Sequence, residues 1–545
     1  MSAKDSVKNL LGEIPLVPDL YWRLRHRKRT IRSHYNLNNL QAALPQACAQ
    51  VKPFAAAALA GNGSPKYGYH KRILVFGTLH FWIEEGALIS LALAGFGHKV
   101  TFAYSPISEY DKPVNAFDLR RQDLYTRAVL EPARSLMEIV SLLDIHPAKS
   151  LPSELESAVR QISAYDVQYR LEVEEVDTES ELYRLRLERN TLAARLALAW
   201  LKAHRLDVVI IPNGVVVELG VVFQVARYLG LPVVTYEFSE EREQLWLSQG
   251  EEIMHLNTDD LWQARGHLQL NDEQRALIEA LDAARQGARS FGKSDRLWQE
   301  VPTQGSLQAR AALGLDSRPL VLLATNVLGD SLILGREIFT RSMAEWIGRT
   351  VQFFAKRPDV QLVIRIHPGE KYTHGATMVD AVQSALPTLP ENIHLIEALD
   401  KVNTYDLMEL TSLGLVYVTT TGLEMVMRGI PVIVAGKTHF RARGFTLDPN
   451  TWDEYFRMIE NVLANPGQHR PGREQVESAW NYAYRFFFEY PRPFPWRLYQ
   501  FWKDYEKWPL TRVLGEEGQA QFGATFRYLA GEPLDWKVID QKLTV

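Results

Sequence analysis

The chain has 545 residues, too many for one hydrophobic core, so its length predicts two or three domains. With 46% hydrophobic and 23% charged residues it has the balance of a globular protein, and a net charge of −4 supplies no basic field for nucleic acid. The one cysteine, Cys48, excludes an internal disulfide and a multi-cysteine metal cluster, and the lack of a signal-peptide apolar region at the start and of any run of roughly 18 apolar residues leads to an expectation against a secreted or membrane-spanning protein. The expectation is a cytoplasmic protein, at most peripheral at the inner face of the membrane.

Residues 1–69 read as a helical N-terminal segment. Within it, 21–34 (YWRLRHRKRTIRSH) is strongly basic. That pattern suits a solvated helix face, a contact with an acidic surface, or attachment to anionic lipid. GNGSPKYGY at 61–69 reads as a linker. A first Rossmann-like domain is expected over 70–300. KRILVFGT is a short buried strand, Gly77 and Thr78 open a turn, 84–95 has a helical pattern, and Gly97-His98 leads into the strand KVTFAY. This is a βαβ opening. Residues 106–119 read as a loop and 128–204 as a long helical region, in which 170–189 carries both signs of charge and is expected to be exposed. The strand DVVIIPNG, a helix through 217–229 and the strand PVVTYEF follow. Alternating β and α predicts a mainly parallel sheet. Residues 251–294 read as helical and 294–318 as a connection.

A second Rossmann-like domain is expected over 301–470. Its elements are PLVLLATN, a helix near 337–356, QLVIRIHP, NIHLIE, a helix through 404–413, LVYVTT, a helix from Thr421, and PVIVAG. The tail, 471–545, is expected to be helical and to pack back on the first domain. Its stretch 482–509 is crowded with aromatics, for which a membrane-interface belt is the alternative to packing.

Segment 416–436, VYVTTTGLEMVMRGIPVIVAG, carries the most chemical information. It is a strand–turn–helix–strand unit with hydroxyls and backbone N–H groups at a helix start, a geometry that binds phosphate. Thr421 and Glu424 have capping-box spacing. Thr419 and Thr420 add hydroxyls that a cap does not need, and Gly422 leaves room for a ligand to approach. Glu424 is also a candidate for the hydroxyls of a ribose. In QLVIRIHPGE, Pro368 keeps His367 extended, and Arg365 and His367 are expected on one face at the carboxyl end of a parallel strand. Asn326 and Asp330 in NVLGDS, and Lys437, His439, Arg441 and Arg443 in KTHFRARG, follow other strands and are expected to open on the same edge. In the first domain, His80 just past the first strand and Glu237 near the end of another are rival general bases. Glu84 and Glu85 are expected to open a helix, where carboxylates favour the dipole. No P-loop, nucleophile elbow, strand-end Asp-x-Asp or zinc spacing is present, which favours metal-independent chemistry.

The order TNVLGDS, RIHPGEKY, NTYDLM, VYVTTTGLEMVMRGIPVIVAGKTHFRARGFTLDP resembles the bacterial capsular polysaccharide biosynthesis proteins, a group that includes Kdo transferases. The resemblance covers roughly 320–449 well and the first domain only loosely. It implies a GT-B-like fold, two Rossmann-like domains facing across a cleft, with the second binding a nucleotide-activated sugar. It implies donor contacts at His367-Pro368 and at Thr420-Thr421, threonines where relatives carry serine. The implied activity is glycosyl transfer to a glycan or glycolipid acceptor in building a capsular or other cell-surface polysaccharide, with no cofactor and no metal. Alternatives are a teichoic-acid-type glycerophosphotransferase, a sugar-nucleotide epimerase, or a non-catalytic scaffold of a polysaccharide assembly complex.

Overall fold

A computed structural model describes residues 3–14, 16–25, 35–60, 70–239, 243–292, 301–497 and 500–538. The expected linker at 61–69 and most of the basic stretch, 26–34, lie outside the described residues. The chain divides into two compact units. Unit 1 comprises Met1–Val167, Asp177–Met254 and Arg492–Leu534; unit 2 comprises Gln168–Val176, His255–Pro491 and Asp535–Val545. The chain therefore passes into unit 2 at His255, ahead of the expected boundary near 300. The tail is shared: 473–491 belongs to unit 2, and only from Arg492 does it join unit 1.

The strands are β1 (Arg72–Thr78), β2 (Lys99–Ser105), β3 (Glu138–Ser141), β4 (Val208–Pro212), β5 (Val233–Phe238), β6 (Gln244–Gln249), β7 (Leu320–Ala324), β8 (Gln361–Arg365), β9 (Ile393–Ile396), β10 (Thr411–Val416), β11 (Val432–Val434) and β12 (Arg492–Pro493). Unit 1 holds a seven-stranded sheet in the order β12-β6-β5-β4-β1-β2-β3. Its pairs are parallel except β5–β6 and β6–β12. Unit 2 holds a five-stranded, all-parallel sheet in the order β11-β10-β7-β8-β9. This is the α/β class expected, with two Rossmann-like sheets in one chain. The central strands are buried along their length, β4, β7 and β8 at every residue. Helices covering both faces of a parallel sheet explain why these strands read as unbroken apolar runs. In unit 2, Val321, Leu323, Leu362, Ile364, Leu413 and Leu415 pack with Trp346, Val351 and Tyr455 from flanking helices.

Three strands escaped the sequence reading, one of them the two-residue β12 in the tail expected to be helical. The expected long helix over 128–204 is broken by β3, an edge strand of four residues beside β2, where Thr101 Oγ1 donates to Glu138 Oε2 at 2.8 Å. Its successors are the helices Ser153–Leu171 and Glu181–Ala203. The antiparallel β6 was also missed. β3 is an edge strand of four residues, and β6, next to the other edge, carries Gln244, Ser248 and Gln249 around its apolar residues, so neither gives a clear apolar run. The charged stretch 170–189 contributes more than exposed surface. Glu174 accepts from the N–H groups of Met343 (2.6 Å) and Ala344 (2.7 Å), which start the helix Met343–Phe354. That remote cap, with Ser342 accepting from Glu345 N, places the helix start six residues after the expected one.

The tail aromatics are packed. Phe494 and Trp496 are fully buried in unit 1, and Tyr482, Phe486, Phe488 and Tyr490 are buried in unit 2. Trp496 Nε1 donates to the carbonyl of Trp508 at 2.9 Å. These rings are core, which removes the membrane-belt alternative for them.

In unit 1, Arg186 is fully buried. It donates to Asp166 Oδ2 (2.9 Å), Asn190 Oδ1 (2.9 Å), Glu218 Oε1 (3.3 Å) and the carbonyl of Tyr110 (3.0 Å). Asp166 Oδ1 in turn accepts from Val217 N at 2.6 Å, fixing the turn after β4. Removing the cation strands two buried carboxylates. Arg186→Ala is expected to lower stability by about 3–5 kcal/mol, read as a fall in the urea midpoint of unfolding.

Candidate functional site

In an open parallel sheet, ligands bind beyond the carboxyl ends of the strands where the strand order reverses. In unit 2 that point lies between β7 and β10, since β8 and β9 extend from one side of β7 and β10 and β11 from the other. The loops leaving β7 and β10 carry TNVLGDS and TTTG.

Two neighbouring side chains at the end of β7 organise this edge. Thr325, 2% exposed, accepts on Oγ1 from the backbone N–H of His367 at 3.0 Å. Asn326 accepts on Oδ1 from the N–H of Val418 at 3.2 Å. Asn326 is thus a tie between loops, and Thr325, not singled out from sequence, is its counterpart. The readable signal for Thr325 was a hydroxyl closing an apolar strand beside Asn326. Asp330 is exposed and accepts from Leu332 N at 3.0 Å, as a turn residue does.

His367 is extended, with φ −61 and ψ 128, as Pro368 requires. Its Nδ1 accepts from Gly369 N–H at 3.0 Å. That bond assigns the proton of the neutral ring to Nε2, leaving Nε2–H as a donor. A Cβ on Gly369 would lie 2.9 Å from His367 Nδ1, so glycine is needed there for the ring to sit as it does. Arg365 behaves differently. It is 5% exposed and donates from Nη1 to the carbonyl of Glu397 at 2.6 Å. Burial pushes its guanidinium down to about 10. Strand alternation ends at Arg365, so the expected shared face with His367 gives way to separate partners.

The Thr cluster also differs from expectation. The helix Thr421–Met427 has Thr420 at its N-cap, and no side chain caps it. Thr419 Oγ1 lies 3.1 Å from Thr421 Oγ1. The N–H groups of Thr421, Gly422 and Glu424 are already taken, by Thr419 Oγ1 (3.4 Å), Thr419 O (3.2 Å) and Thr420 O (3.2 Å). The capping box is absent because Glu424 is drawn elsewhere. It is 7% exposed and accepts from Arg285 Nη1 at 2.5 Å. Gly422 serves packing rather than ligand approach, since a Cβ there would meet Val416 Cγ2 at 2.8 Å and Phe440 Cζ at 3.2 Å. Among the described residues, the half-buried Thr420 hydroxyl has no hydrogen-bond partner.

After β11, the backbone of Lys437 is clamped by Arg336. Lys437 N donates to Arg336 O at 2.8 Å, and Arg336 Nη1 donates to Lys437 O (3.0 Å) and His255 O (3.1 Å). The Lys437 side chain is exposed. Its expected cationic neighbours are committed to structure. His439 stacks on Phe486 with centroids 3.8 Å apart, and burial holds its imidazole well below the usual range. Arg441 donates to Val434 O at 2.5 Å, and Arg443 pairs with Asp259 at 2.5 Å. Arg336 itself was missed, because an arginine in a loop gives no sequence sign that it will be buried.

In unit 1 the strand order reverses between β1 and β4. Both exits are backbone-strained: Leu79 (φ 58), Asn213 (φ 60) and Val217 (φ 49) adopt left-handed conformations that non-glycine residues disfavour. Asn213 Nδ2 donates to Glu237 Oε2 at 3.1 Å, and burial raises the Glu237 carboxyl. His80 is half-buried, and burial lowers its imidazole. The helix after β1 is Leu79–Gly95, which puts Glu84 and Glu85 in its second turn, beyond the reach of the dipole reading. Glu85 is fully buried, accepts from Tyr236 Oη at 3.3 Å, and is raised well above normal by burial and by Glu237. Glu84 accepts from Trp502 Nε1 at 3.1 Å, and burial pushes it up to about 7. His80, Phe81, Glu84, Trp502 and Lys503 line a cavity of about 500 Å³.

Comparisons with known proteins bear on unit 2. The family model described as "Capsule polysaccharide biosynthesis protein" matches residues 296–459. No curated protein matches the chain. Among solved structures the chain is similar to Thermosulfurimonas dismutans KpsC, a β-Kdo 2,4-transferase, at 18% identity over 53% of this chain and 82% of that one, TM-score 0.35. It is similar to UDP-GlcNAc 2-epimerase from Neisseria meningitidis at 14% over 77% and 99%, TM-score 0.23. It is similar to a family 9 glycosyl transferase from Veillonella parvula at 11% over 76% and 98%, TM-score 0.21. Likeness at that level transfers no residue roles. The residues matched by the family model, 296–459, contain the whole of the second sheet.

Proposed function

We propose that the protein is a metal-independent glycosyltransferase that uses a nucleotide-activated sugar to build a capsular or other cell-surface polysaccharide. The observation that carries this reading is the double tie from Thr325 and Asn326, which sets the His367 loop and the Thr419–Thr421 loop at one switch point. In this reading the donor phosphate takes the Nε2–H of His367, the free hydroxyl of Thr420 and the charge of Lys437. The spent N–H groups of the Thr421 helix shift the burden to these side chains. Asn326 and Arg365 act by positioning, and Glu424 by its bond to Arg285.

In the reaction, the acceptor hydroxyl forms a bond to the anomeric carbon, the bond from that carbon to the phosphate oxygen breaks, and the acceptor proton passes to a base. Electrostatic stabilisation of the departing phosphate by fixed donors is the main contribution expected of unit 2. The candidates for the base lie in unit 1. His80 and Glu237 are its candidates from sequence, and Glu84 joins them because its carboxyl is poised near neutrality.

Purified protein is expected to gain thermal stability with one class among CMP, UDP, GDP, CDP and their sugar conjugates. His367→Ala should weaken that ligand by about 1.5–3 kcal/mol, the worth of a hydrogen bond to a charged group, read as a loss of ligand-induced shift relative to the variant's own ligand-free melting temperature, because the change also removes the acceptor of Gly369 N–H. A shift retained in full by the variant refutes the assignment. Product analysis then distinguishes a lengthened glycan from an epimerised sugar nucleotide.

The Glu84 carboxyl predicts a pH dependence. Its folded value is raised from 4.5 to about 7, so between those values the folded state binds the extra proton. Stability therefore falls as pH rises through that window and is level above it. Glu84→Gln removes the effect. The variant should match wild type near pH 4 and exceed it by roughly 3 kcal/mol above pH 7, measured by urea unfolding across pH.

A further inference from the structure

The first two helices of unit 1 face the wrong way for a protein bathed only in water. The helix Ala3–Glu13 has an apolar stripe at Val7, Leu10 and Leu11, continued by Ile14 at the same spacing of i, i+3, i+4 and i+7. A surface helix normally buries such a stripe. Here the polar face is turned inward. Lys8 pairs with Asp118 at 2.6 Å, and Asn9 accepts from Ala116 N at 2.8 Å. Gly12 is pressed so close that a Cβ would lie 2.3 Å from Phe117 N. The apolar stripe is left outside, with Val7 57% and Leu10 65% exposed.

The helix Leu16–Arg25 repeats the inversion. Tyr21 meets Phe117 at 5.2 Å between ring centroids, Trp22 meets Tyr125 at 6.1 Å, and Asp19 lies 3.8 Å from Arg120. Leu16, Leu20 and Leu24, spaced i, i+4, i+8, point away at 78%, 59% and 74% exposure. Seven large aliphatic side chains are thus held outward within eighteen residues, fixed by polar and aromatic contacts on their inner sides. Isolated exposed leucines need no explanation, but two parallel stripes of them do.

We propose that this pair of helices docks on an anionic lipid surface, its leucines entering the headgroup boundary. Charge complementarity selects that occupant over others. From Leu20 to His34 the sequence has no acidic residue and carries Arg23, Arg25, Arg27, Lys28, Arg29 and Arg32, in a chain whose net charge is −4. An apolar face joined to a basic run is what interfacial anchoring requires, because neither signal alone holds a protein firmly. The proposal stands apart from the transferase reading and survives its failure.

The test is sedimentation of the full chain with vesicles of equimolar phosphatidylglycerol and phosphatidylcholine, and with phosphatidylcholine alone. Wild type is expected to bind the anionic vesicles, and to lose most of that binding in high salt and on phosphatidylcholine alone. A variant with Leu10, Leu16, Leu20 and Leu24 each changed to Gln should bind at least about tenfold more weakly. Its melting temperature should equal that of wild type, which shows that it folds. A second variant with Arg27, Lys28 and Arg29 changed to Gln should lose the preference for anionic lipid. Equal sedimentation of wild type and the leucine variant overturns the proposal. So does a wild type that ignores vesicles but forms a dimer that the leucine variant abolishes, which assigns the face to a second copy of the chain.

Discussion

The loops at the carboxyl edge of the second sheet depend on two hydrogen bonds made by adjacent side chains. Thr325 and Asn326 leave β7 pointing to opposite neighbours, one holding the N–H of His367 beyond β8 and the other the N–H of Val418 beyond β10. Strand alternation makes this division natural: consecutive residues at a strand end diverge. Each accepted N–H would otherwise be a partly buried donor without a partner, at a cost of about 1–3 kcal/mol. Placement of His367 and Thr420 is therefore set from the end of a fully buried strand rather than by loop sequence alone. Glycines complete the arrangement where the backbone must come close. Gly436 admits no Cβ, which would lie 2.8 Å from Val418 Cγ1 and 3.1 Å from Tyr417 O, and Gly369 keeps clear of the His367 ring.

Much of this was legible in the sequence because parallel strands buried on both faces are written as apolar runs. RILVFGT, VVIIP, LVLLA and QLVIR each became a strand. The strand ends, and with them His367, Asn326 and the threonines, could be read directly. Side-chain destinations could not. Thr421 and Glu424 have capping-box spacing, yet Glu424 is taken by Arg285, 139 residues away in sequence. Pairing between residues so far apart leaves no local trace. The same holds for Glu174, whose partners are the N–H groups of Met343 and Ala344. The edge strand β3 and its counterpart β6, next to the opposite edge, were lost for another reason: four residues in one and glutamine and serine in the other leave no apolar run of the kind that betrays a central strand.

Unit 1 places its unusual chemistry at its own reversal of strand order. The left-handed backbone at Leu79, Asn213 and Val217 costs free energy, and the structure offsets it with buried bonds. Val217 N is held by Asp166, which Arg186 and Asn190 hold in turn. Asn213 is locked by donating to Glu237 and accepting from Val215 N. Three carboxyls, Glu84, Glu85 and Glu237, have their protonation raised by burial in this region. Their differing environments separate their roles. Glu85 is sealed in the core beneath Tyr236, whereas Glu84 opens on the cavity with His80 and Lys503. A group confined to the core stabilises or strains the fold; only one that opens on a cavity can exchange a proton with a substrate.

The charge at the edge of the second sheet follows from the same logic of commitment. Arg336 is buried and spends its hydrogen bonds on carbonyls, those of Leu332, His255 and Lys437. A cation bonded to carbonyls keeps its field. That field is visible in its neighbours: burial, then Arg336 and Lys437, push His255 down to about 4, and burial, then Arg336 and Arg443, hold His439 low. Both imidazoles are therefore neutral near pH 7, and their titration adds nothing to anion binding there. The cationic side chains at this edge include Arg336, buried, and Lys437, exposed. On the proposed transferase reading, a donor phosphate at Thr420 and His367 would be met by charge that buried arginine and exposed lysine hold in place. His367 accepts from Gly369 N–H on Nδ1, which assigns the proton of its neutral ring to Nε2.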